Sequence, residues 1–338
     1  MAYYDLYGKD LLTTQWWSKE ELNAVLDLAK DLKMKYYSRV PHEYLKDKNF
    51  IMMFYNTSTR TRLSFETAMT HLGGHAIYLE PKMMRLTESG KKGESIKDTA
   101  IVMSRYADGI GIRLLEDKIT YYGEGHAIIK EWARHATVPV IDMASDRFHP
   151  CQGLTDIFTA KEKLGNVEGK KYVIMWAYSP WARSWGSVQE DALIMSRYGM
   201  DVTIAHPPGY DLDPEVMKWV KQNAEENGRE FVVTTDLEEA LQGAHVVFPR
   251  NWHSPRRYEI GKEAEAKEAE KYKNWKLTME MLEKYTDKAL FMHVMPVDRG
   301  DEVDDEVADS EYSVIYDQAE NRLHVQKAIL TLVMGGRL

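Results

Sequence analysis

One cysteine, Cys151, stands in a chain of 338 residues, so no disulfide can form within it. Held between Pro150 and Gln152, that thiol reads as a small packing residue and not a nucleophile. No apolar run approaches the length needed to span a bilayer. Met1-Ala2-Tyr3-Tyr4-Asp5 also lacks the basic and apolar regions of a secretory leader, and a soluble, cytoplasmic protein without membrane partners is expected. Positive charge is in deficit. Lys and Arg number 44 against 53 Asp and Glu, a formal net charge of −9, which argues against a nucleic-acid surface but leaves room for a local basic pocket. No strand is followed by G-x-G-x-x-G and an acidic ribose partner, so a nicotinamide oxidoreductase is set aside.

What the chain has in abundance is alternation. Strand candidates fall at 50–55, 75–79, 108–112, 138–142, 171–176, 200–205, 230–234, 245–249, 289–293 and 313–316, most of them separated by segments with helical spacing. Ser18-Lys19-Glu20-Glu21 is a capping box that opens the first of these helices. The pattern predicts an α/β protein of two domains, each a mainly parallel sheet flanked by helices. Gly165, Gly169, Lys170 and Lys171 end one helix before a fresh strand, which places a hinge near 145–155. A last helix from about Asp317 to Val333 is expected to return to the first domain, giving 1–148 plus 317–338 and 149–316. Residues 261–275, rich in Glu, Lys and Ala, read as a solvated helix or surface insertion.

Ser58-Thr59-Arg60-Thr61-Arg62 lies directly between the apolar run Phe50 to Tyr55 and the helical pattern that starts at Leu63. Hydroxyls and guanidinium groups at a helix N-terminus gather free N–H donors, the positive end of a macrodipole and a bidentate fork. A phosphate or phosphonate dianion suits that point. An isolated segment of this kind is more often a plain N-cap, with its arginines solvated or paired with Glu66. Context shifts the balance. Phe148-His149-Pro150-Cys151-Gln152 again joins a strand to a helix, and His293-Val294-Met295-Pro296 and Glu320-Asn321-Arg322 follow late in the chain.

In this order and spacing, with Arg113 between the first two, these segments resemble the aspartate and ornithine carbamoyltransferases over essentially the whole length. The resemblance implies that Ser58, Thr59, Arg60 and Thr61 hold the phosphate of carbamoyl phosphate, and that Arg113, His149 and Gln152 meet its carbamoyl end. Arg60, Thr61, Arg113 and His149 would act in the chemistry, Arg322 would close over the donor, and the backbone at Val294 and Met295 would receive the carbamoyl amino group. No metal or cofactor is implied. Lys92, in Glu88 to Ser95, matches a loop that reaches a neighbouring subunit's active site, so a homotrimer or dimer of trimers with shared sites is expected. A glycine-bounded surface loop is the plainer reading of the same residues.

The acceptor side departs from the familiar patterns. Val294 replaces the cysteine typical of ornithine enzymes, and their Asp-x-x-Ser-Met-Gly segment is missing after strand 245–249, which sets ordinary ornithine aside. Trp176 to Trp181 and Pro249-Arg250-Asn251-Trp252 resemble the knotted branch, where a loop near 178–186 lets the chain thread through itself. Departures at 81–93, at Ser145 and at Gly300-Asp301-Glu302 set acylornithines aside too, and favour a subgroup of unassigned acceptor. Arg183, Arg250 and Arg299 are candidates to clamp an acceptor carboxylate, with Trp252 and Trp181 as walls; each is equally readable as a surface or packing residue. The implied reaction moves a carbamoyl group between carbamoyl phosphate and a small amine or ureido compound. A catalytically silent paralogue that binds the same anion is the competing reading.

Overall fold

The structure, a computed structural model, describes residues 6–84, 86 and 93–336. Two compact units divide the chain, Met1–Leu154 with Glu320–Leu338, and Thr155–Ala319. The divisions fall a few residues after those expected at 148/149 and 316/317, inside helices: Phe148 and His149 lead into the helix Pro150–Leu164, and Pro150 to Gln152 lie in its first turn. Lys92 lies outside the described residues.

Unit 1 has a sheet ordered β2-β1-β3-β4, with β1 Asn49–Phe54, β2 His75–Leu79, β3 Gly109–Leu114 and β4 Val140–Ser145. Its pairings are parallel throughout. Helices α1 (Lys19–Tyr37), α2 (Thr59–His71), α3 (Ile96–Met103), α4 (Glu124–His135) and the start of α5 (Pro150–Leu164) accompany it. The expected capping box is present on α1: Ser18 Oγ accepts the Glu21 N–H, and Glu21 accepts the Ser18 N–H at 2.7 Å. Strand β1, Asn-Phe-Ile-Met-Met-Phe, is buried over its last five residues, as a strand covered on both faces must be.

Unit 2 repeats the theme with the order β7-β6-β5-β8-β9, again in parallel register. Its strands are β5 Lys171–Trp176, β6 Asp201–Ala205, β7 Phe231–Thr234, β8 Val246–Arg250 and β9 Leu290–Phe291. Between them come α6 (Gly186–Arg197), α7 (Pro214–Glu226), α8 (Leu237–Leu241), α9 (Arg257–Ile260), α10 (Lys262–Ala269) and α11 (Met279–Tyr285), followed by α12 (Asp305–Ala308). The strand expected at 313–316 is reduced to a single bridge, Ser313 to Phe291, because α13 (Ile315–Val333) begins there. Among the described residues no helix is long and apolar enough to cross a membrane.

Candidate functional site

In a parallel sheet, ligands gather beyond the carboxyl ends of strands where the strand order reverses. In unit 1 that point lies between β1 and β3. Phe54, the last residue of β1, pairs with Arg113 near the end of β3. The turn that follows β1 is sewn to β3: the Tyr55 N–H donates to the Arg113 carbonyl at 3.0 Å, and the Leu115 N–H donates to Asn56 Oδ1 at 2.8 Å. Ser58 then takes an extended conformation and caps α2, its Oγ accepting the Thr61 N–H at 3.3 Å. The amides of the first turn of a 13-residue helix therefore open at the carboxyl edge of the sheet.

Arg322 comes to this turn from a distant segment and links Gln152 to it. Arg322, buried, donates through Nη1 to Gln152 Oε1 at 2.7 Å and through Nη2 to Thr61 Oγ1 at 3.3 Å. Gln152 is delivered by the first turn of α5, where its N–H donates to the His149 carbonyl at 2.8 Å. His149 is itself buried. Arg113 is held down to about 10 by burial and then by the positive charge of Arg322, with Arg60 adding to the effect and Glu116 and Asp142 opposing it. Guanidinium groups in a low-dielectric setting repel one another, and a bound dianion would relieve that repulsion. The carboxylates of Glu116 and Asp142, both buried, supply only part of the compensation.

Arg322 owes its place to α1. The Lys33 ammonium donates to Asn321 Oδ1 at 2.8 Å, and the Tyr37 hydroxyl donates to Glu320 Oε1 at 2.6 Å, fixing the residues just before it. Arg62, by contrast, leaves the cradle. Its Nε donates to Glu66 at 2.9 Å and its guanidinium lies 4.0 Å from the centre of the Tyr78 ring, so of the two arginines in the motif only Arg60 remains beside the turn.

In unit 2 the corresponding reversal lies between β5 and β8, and the loops after β5, β8 and β9 carry the remaining candidates. Arg250, the last residue of β8, is buried, pairs with Trp176 and donates to the Pro296 carbonyl at 3.3 Å. Arg183 donates from Nη2 to Asp298 at 3.0 Å. Two candidates are spent elsewhere. Trp252 is completely buried with Nε1 on the Tyr210 carbonyl at 2.8 Å, which makes it a core residue and not a pocket wall. Arg299 forms a fork with Asp309 at 2.7 and 2.8 Å and a further contact with Asp305 at 3.2 Å, an exposed cluster that occupies both terminal nitrogens. Val294 and Met295 follow His293, whose Nδ1 accepts the Met295 N–H at 2.8 Å.

Glu302 was legible only as a departure from a family pattern, and its part here is structural and electrostatic. It is buried, accepts the N–H groups of Asn251 at 2.8 Å and Asp298 at 2.9 Å, and lies 3.3 Å from His293 Nε2. Burial alone would raise its pKa; His293, Arg250 and the Asp298 amide overcome that and hold it down to about 2. One carboxylate thus ties the loops after β8 and β9 together. Asn56 and Glu116 were also missed. Their positions, two residues before Ser58 and three after Arg113, are the only sequence signal that could have found them.

Fold and site together define a two-unit α/β enzyme whose first unit is built to take a small phosphorylated compound at the carboxyl edge of its sheet. The chain belongs to the aspartate/ornithine carbamoyltransferase family: the carbamoyl-P binding domain of that family matches residues 9–162, and its Asp/Orn binding domain matches residues 168–333. An anabolic ornithine carbamoyltransferase of Pyrococcus furiosus is 41% identical over 333 residues, which cover 98% of each chain. A solved ornithine carbamoyltransferase from the same organism superposes with a TM-score of 0.87 at 40% identity, over 99% of this chain and 100% of that one. An acetylornithine transcarbamylase complexed with acetylcitrulline superposes with a TM-score of 0.89 at 34% identity, over 96% of this chain and 98% of that one.

Proposed function

We propose that the protein transfers a carbamoyl group between carbamoyl phosphate and an amino group of a small amino-acid-like acceptor. A neutral amine attacks the carbonyl carbon, the new C–N bond forms as the carbon–oxygen bond to the phosphate breaks, and phosphate leaves with the electron pair and takes up the proton that the amine sheds. Negative charge grows on the carbonyl oxygen and on the departing phosphate, so fixed donors at both places favour the transition state over the ground state. Ser58, Thr59, Arg60 and Thr61 serve the phosphate. Arg113, His149 and Gln152 serve the carbonyl, and the carbonyls at Val294 and Met295 accept from the carbamoyl amino group.

The observation that carries this reading is the bridge made by Arg322, which joins Thr61 of the phosphate cradle to Gln152 of the carbamoyl set. A site for bare phosphate has no use for the second half. Arg250, with Arg183 on the loop after the neighbouring strand β5, is the proposed carboxylate clamp for the acceptor. Ornithine returns to the candidate acceptors because relatives bear that name, although Val294 departs from the ornithine pattern.

The loops at 177–185 and 250–254 exchange bonds in both directions. The Ala177 N–H donates to the Arg250 carbonyl at 3.1 Å, the His253 N–H to the Arg183 carbonyl at 3.0 Å, and Trp176 Nε1 to the Trp252 carbonyl at 2.8 Å. A knotted crossing in unit 2 is proposed at these loops. Lys92 is proposed to enter a neighbouring copy's site within a homotrimer, alone or paired into a dimer of trimers, and the cytoplasm is the proposed location.

A panel of ornithine, its N-acyl forms, putrescine, aspartate, oxamate and 2,3-diaminopropionate, incubated with carbamoyl phosphate and assayed for ureido product, tests the reading. A ureido product from one of them is expected. Phosphonate binding with no turnover across the panel would instead establish the silent paralogue.

A further inference from the structure

The turn at 293–296 is held from behind by buried polar groups that the proposed chemistry does not use. The His293 N–H donates to Gln318 Oε1 at 2.8 Å, and Gln318 Nε2 donates to Asp156 Oδ1 at 2.6 Å. A backbone N–H can only donate, so the amide of Gln318 has one permitted orientation and its NH2 must find an acceptor. Asp156 is that acceptor. It lies against Asp191, which takes the Tyr172 hydroxyl at 3.2 Å, and all four side chains are buried. Burial and the neighbouring Asp156 push Asp191 well above the usual carboxylate range. A proton shared between two such carboxyl groups relieves their repulsion, and Asp156 Oδ1 is the oxygen that faces Gln318.

The consequence reaches the backbone. With its N–H on Gln318, His293 is fixed at one end, and its ring nitrogen Nδ1 accepts the Met295 N–H at 2.8 Å. The Val294–Met295 peptide is trans. In a planar trans peptide the C=O points opposite to the N–H. The Val294 carbonyl is therefore turned away from the His293 ring.

We propose that Gln318, braced by Asp156 and Asp191, is a positioning residue that aims the Val294 carbonyl and thereby selects a donor with an amino group on its carbonyl carbon. The inference rests on the reading that this turn receives the carbamoyl amino group. Gln318→Met keeps the length and removes both hydrogen bonds; Gln318→Glu keeps the shape and sets a third carboxyl against Asp156.

The test is equilibrium binding of two stable probes, phosphonoacetamide and acetonylphosphonate, which differ by an NH2 against a CH3. Wild type is expected to prefer the amide. In both Gln318 variants that preference falls about 10-fold, the weight of one well-placed hydrogen bond, while inorganic phosphate binds as before. Asp156→Asn restores an acceptor for Gln318 and a donor for Asp191, and keeps the preference that Asp156→Ala loses. An unchanged preference in folded Gln318 variants, even with a lowered melting temperature, overturns the proposal, as does equal loss in Asp156→Asn and Asp156→Ala. Failure of the underlying reading looks different: wild type itself would then bind both probes alike.

Discussion

Arg322 makes contacts that lysine cannot copy, because its guanidinium reaches two partners at once in a fixed plane. Arg322→Lys retains the charge but gives up the simultaneous contacts to Gln152 and Thr61. Removing one preorganised donor from a developing oxyanion typically lowers kcat by about 10²-fold to 10³-fold. Arg60→Ala is expected to reach that range and to weaken phosphonate binding, both read from steady-state kinetics and calorimetry; unchanged kinetics would refute the phosphate-cradle assignment. Arg250→Ala should act on the other substrate, raising the acceptor KM about 10-fold while leaving phosphonate affinity intact. A loss confined to carbamoyl phosphate would mean that Arg250 serves the donor.

At the scale of elements, the cradle is a contiguous strand, turn and helix, and that is why it could be read directly. Ser58 as N-cap, the capping box at Ser18 and the run of β1 all depend on residues within a few positions of one another. Ser58→Ala is expected to cost about 1 kcal/mol of stability, measured by denaturant unfolding, with a parallel loss of phosphonate affinity. What local pattern could not supply is pairing across distance. Ser313 to Tyr316 has the composition of a strand, yet the chain turns into α13 after one bridge, because that segment's partner offers only the two residues of β9. The pairing of Arg62 with Glu66 could be read from helical spacing, but its contact with Tyr78 on the next strand could not. Trp252 and Arg299 failed as pocket residues for the same reason: Tyr210 and Asp309, which engage them, lie far away or on a face that spacing does not reveal.

Over the whole molecule, buried imidazoles set the acid limit. Burial, with Arg147 and Lys130 nearby, holds His126 down to about 3, and burial with Arg257 holds His253 down to about 4 despite a hydrogen bond to the Ser254 carbonyl. Both are neutral in the folded state at pH 6, whereas an unfolded histidine takes its proton near 6.5. The unfolded chain then binds more protons, so stability is full above that pH and declines as pH falls toward the folded values. Each contributes a slope of about 1.4 kcal/mol per pH unit over that window. Melting temperatures should be flat above pH 7 and drop between pH 6.5 and 4, and a folded His126→Phe variant should show a shallower drop. An equal pH response in that variant would remove His126 from the account.

Unit 1 is discontinuous, its last segment returning only after the whole of unit 2. During synthesis, the residues that answer Lys33 and Tyr37 emerge from the ribosome after all of unit 2. Unit 2 is a single uninterrupted stretch and can fold as it appears, but unit 1 must wait with the polar ends of α1 unanswered. The first half of the protein to be made is thus the last to be finished, and the step that finishes it is the one that brings Arg322 to the cradle.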